Sequence, residues 1–265
     1  MATGATEQTT YAAYWLFALD AAYMRLPDAE QARGKAEFLR ALDARPESVS
    51  LRGAYSMVGL REDVDFMLWV VSDDLDTIQR LAVNLRHTGL GRYLTTRQTY
   101  VGVVAGGRYD PAHSPAFMQG APPKSYISVY PFVKTSDWYL LPYERRRELM
   151  AEHGLVGRRY AVPREQVAAS SERRNGHERG ASGATAVAQT LPQTETEGGG
   201  VLANTVDAFG LGDYEFILAN ESDDPSELVR MMESLRATEV RRFTKQDTPI
   251  FLGRLREPAE VMADL

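Results

Sequence analysis

The 265-residue chain contains no cysteine, which excludes disulfide bonds, iron–sulfur clusters, cysteine-ligated zinc and thiol catalysis. No apolar run approaches the ~20 residues that a membrane-spanning helix needs. Residues 1–10 are polar and lack the apolar segment of a signal peptide. Together these absences predict a cytoplasmic protein without stable membrane insertion.

The sequence also has fewer basic than acidic residues. The 30 Lys and Arg residues are outnumbered by 36 Asp and Glu residues, and the net charge is -6. Proteins that bind nucleic acid normally carry a basic surplus, so we expect no nucleic-acid partner. A P-loop, a nucleophile elbow, a dinucleotide glycine fingerprint and a zinc-type histidine pair are all missing from the sequence.

What the chain does contain is an internal repeat. An offset of 150 residues aligns Asp65–Leu68 with Glu215–Leu218, Ser72–Asp74 with Ser222–Asp224, and Leu85–Arg86 with Leu235–Arg236; one gap adds Gly59–Leu60 and Gly210–Leu211. In each copy a strand (65–71 and 214–220) leads into Ser and Asp residues typical of a helix N-cap. A helix with apolar side chains at helical spacing then follows.

The regions upstream of each copy also correspond. Strands are predicted at 11–19 and 126–133, with helices at 28–42 and 142–153. Each half therefore reads β-α-β-β-α-β, the ferredoxin-like arrangement. We expect an α+β fold in which two ferredoxin-like antiparallel sheets, from residues 1–108 and 109–265, join into a barrel-like layer with helices outside. Residues 163–200 are polar and glycine-rich, which predicts a disordered insertion; a functional lid is the alternative.

The four histidines are the first candidates for chemistry, although each also has a structural interpretation. His87 lies in the last turn of a predicted helix, where a cation is favourable. His153 has the same interpretation, because it ends the predicted helix 142–153 and Gly154 follows it. His113 lies in a proline-containing loop, and His177 lies in the polar insertion.

Several separated strings resemble the chlorite dismutase-like superfamily, and within it the branch of coproheme decarboxylases. These are Tyr130–Lys134, Asp137–Pro142, Glu152–Gly154 and Gly157–Arg158, followed by Asn204–Gly212 and Arg236–Gly253. The resemblance covers nearly the whole chain apart from the insertion. It implies a chlorite dismutase-like fold and a homopentamer.

The resemblance also implies roles for individual residues. His153 matches the histidine that ligates the heme iron, and Tyr130 matches the tyrosine that forms a radical. Lys134, Trp138 and Arg236 match residues near the porphyrin and its propionates. For Trp138 a core role is an equally good interpretation, and the repeat partner Arg86 indicates that Arg236 could be architectural.

The residue opposite the proximal histidine distinguishes the family's branches. Chlorite dismutases carry an arginine there, whereas the matching position in this chain is Ala203, which argues against chlorite chemistry. The branch with a small residue uses a distal histidine from an earlier loop. His113 matches it and would act as the base toward peroxide.

The implied activity is peroxide-dependent decarboxylation of two propionates of iron coproporphyrin III (coproheme) to vinyl groups. Coproheme would be both substrate and redox cofactor, with heme b as the product, and a transient contact with the coproporphyrin ferrochelatase is possible. The alternatives are a chlorite dismutase or heme peroxidase, a non-catalytic heme carrier, and a ferredoxin-like module without heme.

Overall fold

The computed structural model describes residues 9–104, 114–162 and 200–265. The strands are β1 (Tyr11–Leu19), β2 (Ser50–Ser56), β3 (Phe66–Ser72), β4 (Leu94–Val103), β5 (Tyr126–Lys134), β6 (Leu202–Asp207), β7 (Phe216–Ser222), β8 (Thr244–Gln246) and β9 (Phe251–Arg256). The α-helices are α1 (Asp28–Asp43), α2 (Leu75–Arg86), α3 (Ser136–Leu140), α4 (Tyr143–Arg158), α5 (Pro225–Arg236) and α6 (Pro258–Asp264). Short 3-10 helices lie at Tyr23–Arg25, Gly91–Tyr93, Ala116–Gln119 and Glu239–Phe243.

The strands form two ferredoxin-like sheets that close into one barrel. Their orders are β4-β1-β3-β2 and β9-β5-β7-β6, all antiparallel. β2 pairs with β9, and β4 meets β6 at Val103 and Asp207, so the pairing runs around a complete ring. β8 pairs with the end of β5. The predicted duplicated α+β fold, with its two sheets joined and helices outside, is confirmed.

Local signals place the repeated elements as predicted. Asp74 and Asp224 cap α2 and α5, and each accepts a hydrogen bond from the backbone N–H two residues on, at 3.0 and 2.9 Å. Gly59 and Gly210 adopt positive φ angles of 75° and 74° in the turns before β3 and β7. These turns require the left-handed backbone conformation that glycine adopts without strain.

Side chains alternate between the two faces of the sheets. Along β1, Tyr14 points into the barrel interior, whereas Trp15 points outward to the helices. The barrel interior is packed with apolar and aromatic residues from both halves. The outward face of the first half is filled by α1, which inserts Phe38 and Leu42.

The second half fills its outward face less completely. Its helix α4 has the same length as α1, but Leu149 is the residue of α4 that is fully buried. Among the described residues, α4 therefore covers the outward face of the second sheet with fewer buried side chains than α1 covers the first.

Two boundaries fall outside the described residues. The predicted division between halves at residues 108 and 109 lies in the segment 105–113, and the predicted insertion lies almost wholly in 163–199. The flanks of that insertion are held together, since Val162 N–H donates to Val201 O at 3.0 Å and Val201 N–H to Tyr160 O at 2.9 Å. Within the described ranges, no helix is long and apolar enough to cross a membrane.

Candidate functional site

Tyr130 lies in the middle of β5 on the outward face of the second sheet. Its neighbour Val129 points into the barrel interior, so residues 130, 132 and 134 share the opposite face, as the spacing predicts. The side chain is 3% exposed. Its hydroxyl accepts a hydrogen bond from Asn220 Nδ2 at 3.3 Å. Burial raises the pKa of Tyr130, and the Asn220 hydrogen bond opposes that rise.

Lys134 is a buried cation at the end of β5. Its Nζ lies 4.3 Å from the centroid of the Trp138 ring and 5.0 Å from that of Phe132. Burial lowers the pKa of Lys134 to about 8, and the nearby carboxylate of Glu215 only partly offsets this. Lys134 therefore remains largely charged at pH 7, as a partner for carboxylates requires.

His153 lies inside α4, which corrects the prediction that the helix ends at this residue. Gly154 does not adopt the left-handed conformation of a C-cap, and the helix continues to Arg158. The Nδ1 atom of His153 is buried without a hydrogen-bond partner among the described residues. Burial, together with the charge of Lys134, lowers the pKa of His153 to about 4. At pH 7 the imidazole is therefore neutral, which is the form that binds metals.

Ala203 and Arg236 flank this group from two other elements. Ala203 on β6 is the cross-strand partner of Asn220 on β7, and Asn220 in turn donates a hydrogen bond to the Tyr130 hydroxyl. Arg236 at the end of α5 donates to Asp247 Oδ2 at 2.8 Å. Both members of this ion pair lie close enough to Tyr130 to influence its pKa.

Trp138 packs in the small core between α3 and α4, as its structural interpretation predicts. It is 3% exposed and contacts Leu149 and Val240. Because the Lys134 ammonium lies over the Trp138 ring, Trp138 also adjoins the group formed by Tyr130, Lys134 and His153. His113 and His177 lie outside the described residues, and His87 forms the C-cap of α2, as expected.

Aligning the two halves shows which first-half residues are the counterparts of the residues around Tyr130 and His153. The first residues of β5 and α4 lie 115 positions after those of β1 and α1. The first residues of β7 and α5 lie 150 positions after those of β3 and α2. The register of β2 and β6 follows from their pairings with β3 and β7. The first-half residues Trp15, Phe38, Leu42, Leu51 and Val70 thereby have as counterparts Tyr130, His153, Gly157, Ala203 and Asn220.

All five first-half residues belong to the apolar core beneath α1 and α2 or pack against it. Their counterparts are smaller or polar, and we call these five second-half residues the site face. A Cβ placed on Gly157 would meet only Leu235 Cδ2, at 3.9 Å, where its counterpart Leu42 is fully packed. The second half therefore carries smaller or polar side chains at five positions where the first half carries larger apolar ones.

Known proteins of similar sequence identify the family. The sequence profile of the chlorite dismutase family matches residues 31–171 and 193–256. The chain belongs to this family.

One family relative, named coproheme decarboxylase, is from Mycolicibacterium smegmatis. It is 36% identical over 208 residues, covering 78% of this chain and 74% of the relative. A second protein of that name, from Staphylococcus saprophyticus, is 26% identical over 57% of this chain and 68% of its own length. The fold resembles that of a chlorite dismutase variant from Candidatus Nitrospira defluvii, with a TM-score of 0.75 and 19% identity over 97% of this chain and 95% of that one.

A heme-type porphyrin, which the family resemblance implies, fits the site face. The described residues contain no group of three or more metal-binding side chains, but a porphyrin iron receives four ligands from the macrocycle and needs few from protein. His153 offers a neutral, buried nitrogen, Gly157 leaves space, and Lys134 offers a cation to propionates. These residues would hold the group.

Sequence reasoning missed two members of the site face, Asn220 and Gly157, as well as Asp247, the ion-pair partner of Arg236. The 115-residue offset was the available signal for Gly157. It aligns α1 with α4 and shows a glycine where the first half has a buried leucine.

Proposed function

We propose that the protein is a peroxide-dependent coproheme decarboxylase that converts two propionates of coproheme to vinyl groups and yields heme b. The observation that carries this proposal is the placement of Tyr130, an oxidisable phenol, among neutral His153, cationic Lys134 and small Ala203 on one face. The relatives at 36% and 26% identity, both named coproheme decarboxylase, support it.

The net reaction balances for each propionate. One propionate, one hydrogen peroxide and one proton give a vinyl group, carbon dioxide and two waters. When bound, the porphyrin iron supplies the oxidising power drawn from peroxide. Because peroxide accepts two electrons, each decarboxylation consumes one peroxide, and two successive reactions complete the product.

Each residue of the site has a separate role in this reaction. The neutral imidazole of His153 would ligate the iron, and the small side chain of Ala203 would leave room in the site. Tyr130, once oxidised, would take a hydrogen atom from the β-carbon of a propionate. Loss of carbon dioxide from the resulting radical would release a second electron, which goes to the oxidising equivalent that remains from peroxide. The ammonium of Lys134 binds a propionate and fixes its distance from Tyr130. His113 accepts the proton of peroxide.

Arg236 is a weaker candidate for the propionates than Lys134, because Asp247 already accepts hydrogen bonds from Arg236 and Arg241 at 2.8 and 2.6 Å. We propose that this ion pair orients Arg236 at the edge of the site. Trp138 supports Lys134 through the face of its ring.

The proposal also includes a cytoplasmic homopentamer that receives coproheme through transient contact with a ferrochelatase. Large apolar side chains at the surface around α3 and α4 support self-association: Leu140 is 81% exposed and Leu155 56%.

Replacement of Tyr130 by Phe tests the proposal. The ring volume is kept, so packing and coproheme affinity should change little. The variant should bind coproheme and consume peroxide but form no vinyl groups, as measured by mass spectrometry of the extracted porphyrin. A carrier would form no vinyl product even with Tyr130 present, and a peroxidase would be indifferent to the change. Vinyl formation at the wild-type rate by the variant would refute the role of Tyr130.

A further inference from the structure

Asn220 is a buried amide that donates a hydrogen bond to the phenol of Tyr130, the one side-chain partner it has among the described residues. It is 4% exposed, and its Nδ2 lies 3.3 Å from Tyr130 Oη. Burying an amide costs free energy unless it forms hydrogen bonds. The counterpart of Asn220 in the first half is Val70, which packs against apolar neighbours there. The repeated fold has an apolar side chain at the equivalent position, so the fold alone does not account for the amide.

The direction of the hydrogen bond is informative. An amide N–H can only donate, so the phenol oxygen of Tyr130 accepts from Asn220. The hydroxyl hydrogen of Tyr130 then points away from Asn220. After the phenol loses its hydrogen, the oxygen still accepts the same N–H.

The backbone beside Asn220 is anchored from inside the barrel. Glu221 is fully buried and accepts hydrogen bonds from Arg52 Nη2 at 2.6 Å, Tyr55 Oη at 3.0 Å and Asn204 Nδ2 at 3.2 Å. Asn204 Nδ2 also donates to Ala219 O at 3.0 Å. These bonds tie β7 to β2 and β6 on both sides of Asn220. The amide is therefore held in place before any substrate binds.

We propose that Asn220 is a positioning residue for Tyr130: it directs the hydroxyl hydrogen toward the substrate carboxylate and stabilises the phenoxyl oxygen after oxidation. This inference rests on the proposed function. Neither effect requires Asn220 to touch the porphyrin.

Two substitutions separate this role from a structural one. Asn220→Val copies the counterpart Val70 and removes the donor, whereas Asn220→Asp replaces the donor by an acceptor that captures the hydroxyl hydrogen. Loss of one neutral hydrogen bond should slow vinyl formation about fivefold in Asn220→Val. Asn220→Asp should slow it more. The coproheme dissociation constant of Asn220→Val should stay within about twofold of the wild type.

A second measurement needs no porphyrin. The ultraviolet resonance Raman doublet of tyrosine reports whether a phenol oxygen accepts or donates a hydrogen bond. Subtracting the spectrum of the matching Tyr130→Phe protein isolates the signal of Tyr130 in each background. The Tyr130 signal should lose the signature of an accepting oxygen in Asn220→Val. In Asn220→Asp it should show the signature of a donating hydroxyl. Ser128→Ala removes a neighbouring hydroxyl, paired with Asn220 across β5 and β7, and should leave it unchanged.

The outcomes distinguish the two proposals. If Tyr130→Phe abolishes vinyl formation while Asn220→Val retains the wild-type rate, the positioning role is overturned and the decarboxylase stands. An unchanged Raman signal in both Asn220 variants also overturns it. If Tyr130→Phe forms vinyl groups normally, the radical role of Tyr130 fails and the positioning role fails with it. If the wild-type protein forms no vinyl groups from coproheme and peroxide, the proposed function itself fails.

Discussion

Filling the space at Gly157 should stabilise the ligand-free protein and weaken coproheme binding at the same time. The substitution Gly157→Leu recreates in α4 the buried Leu42 of α1. Replacing a glycine inside a helix gains about 0.5–1 kcal/mol. Burying a leucine side chain contributes up to about 1.5–3 kcal/mol, and the Cβ itself meets no atom closer than 3.9 Å.

We expect a net gain of about 1–3 kcal/mol in the free energy of unfolding, since the new side chain is only partly covered. For a chain of this size that raises the melting temperature by several degrees, at about 2–4 °C per kcal/mol. Coproheme affinity should fall at least tenfold, because the leucine occupies space that the porphyrin needs. Calorimetric melting and titration with coproheme measure the two effects on the same sample.

Ala151→Leu is the matched control, because residue 151 is exposed on the same helix. Its stability should change by less than about 0.5 kcal/mol and its coproheme affinity should not change. The reasoning is refuted if Gly157→Leu stabilises the protein but binds coproheme as tightly as the wild type. Gly157 would then lie outside the binding site.

Two further predictions concern charge and ligation. His153→Ala should lose the iron–histidine vibration in the resonance Raman spectrum of the coproheme complex; a retained vibration would assign ligation to another residue. Burial lowers the pKa of Lys134 from 10.5 to about 8, so this ammonium loses its charge as the pH rises past 8. Coproheme affinity of the wild type should therefore fall between about pH 8 and 10, whereas Lys134→Met should bind more weakly at pH 7 and lack this decline. Parallel declines in both proteins, measured by titration across pH, would exclude Lys134 as a propionate partner.

Most of the fold could be predicted from local patterns. The alternation along β1, the helical spacing in α2 and the Asp74 and Asp224 caps each depend on residues a few positions apart. The 150-residue repeat then predicted the corresponding strand, cap and helix in the second half. Observed strand bounds differ from the predicted ones by at most two residues, because hydrogen-bond pairing, and not composition, ends a strand.

The end of α4 shows where local signals failed. Gly154 reads as a helix stop, but a glycine inside a helix costs only about 1 kcal/mol. The helix continues through it to Arg158, and the chain then turns at Tyr160 to pair with Val201. That pairing joins residues about forty positions apart, which no short pattern reveals.

The sequence by itself determined the fold class, the repeated elements and, through family resemblance, the names of the candidate residues Tyr130, Lys134 and His153. Only the tertiary structure decided what surrounds them. Asn220 meets Tyr130 across 90 residues of chain because β5 and β7 pair, and barrel closure places Glu221 behind it. The site face carries side chains that are smaller than their first-half counterparts or polar, and these side chains come together only once the second half has folded.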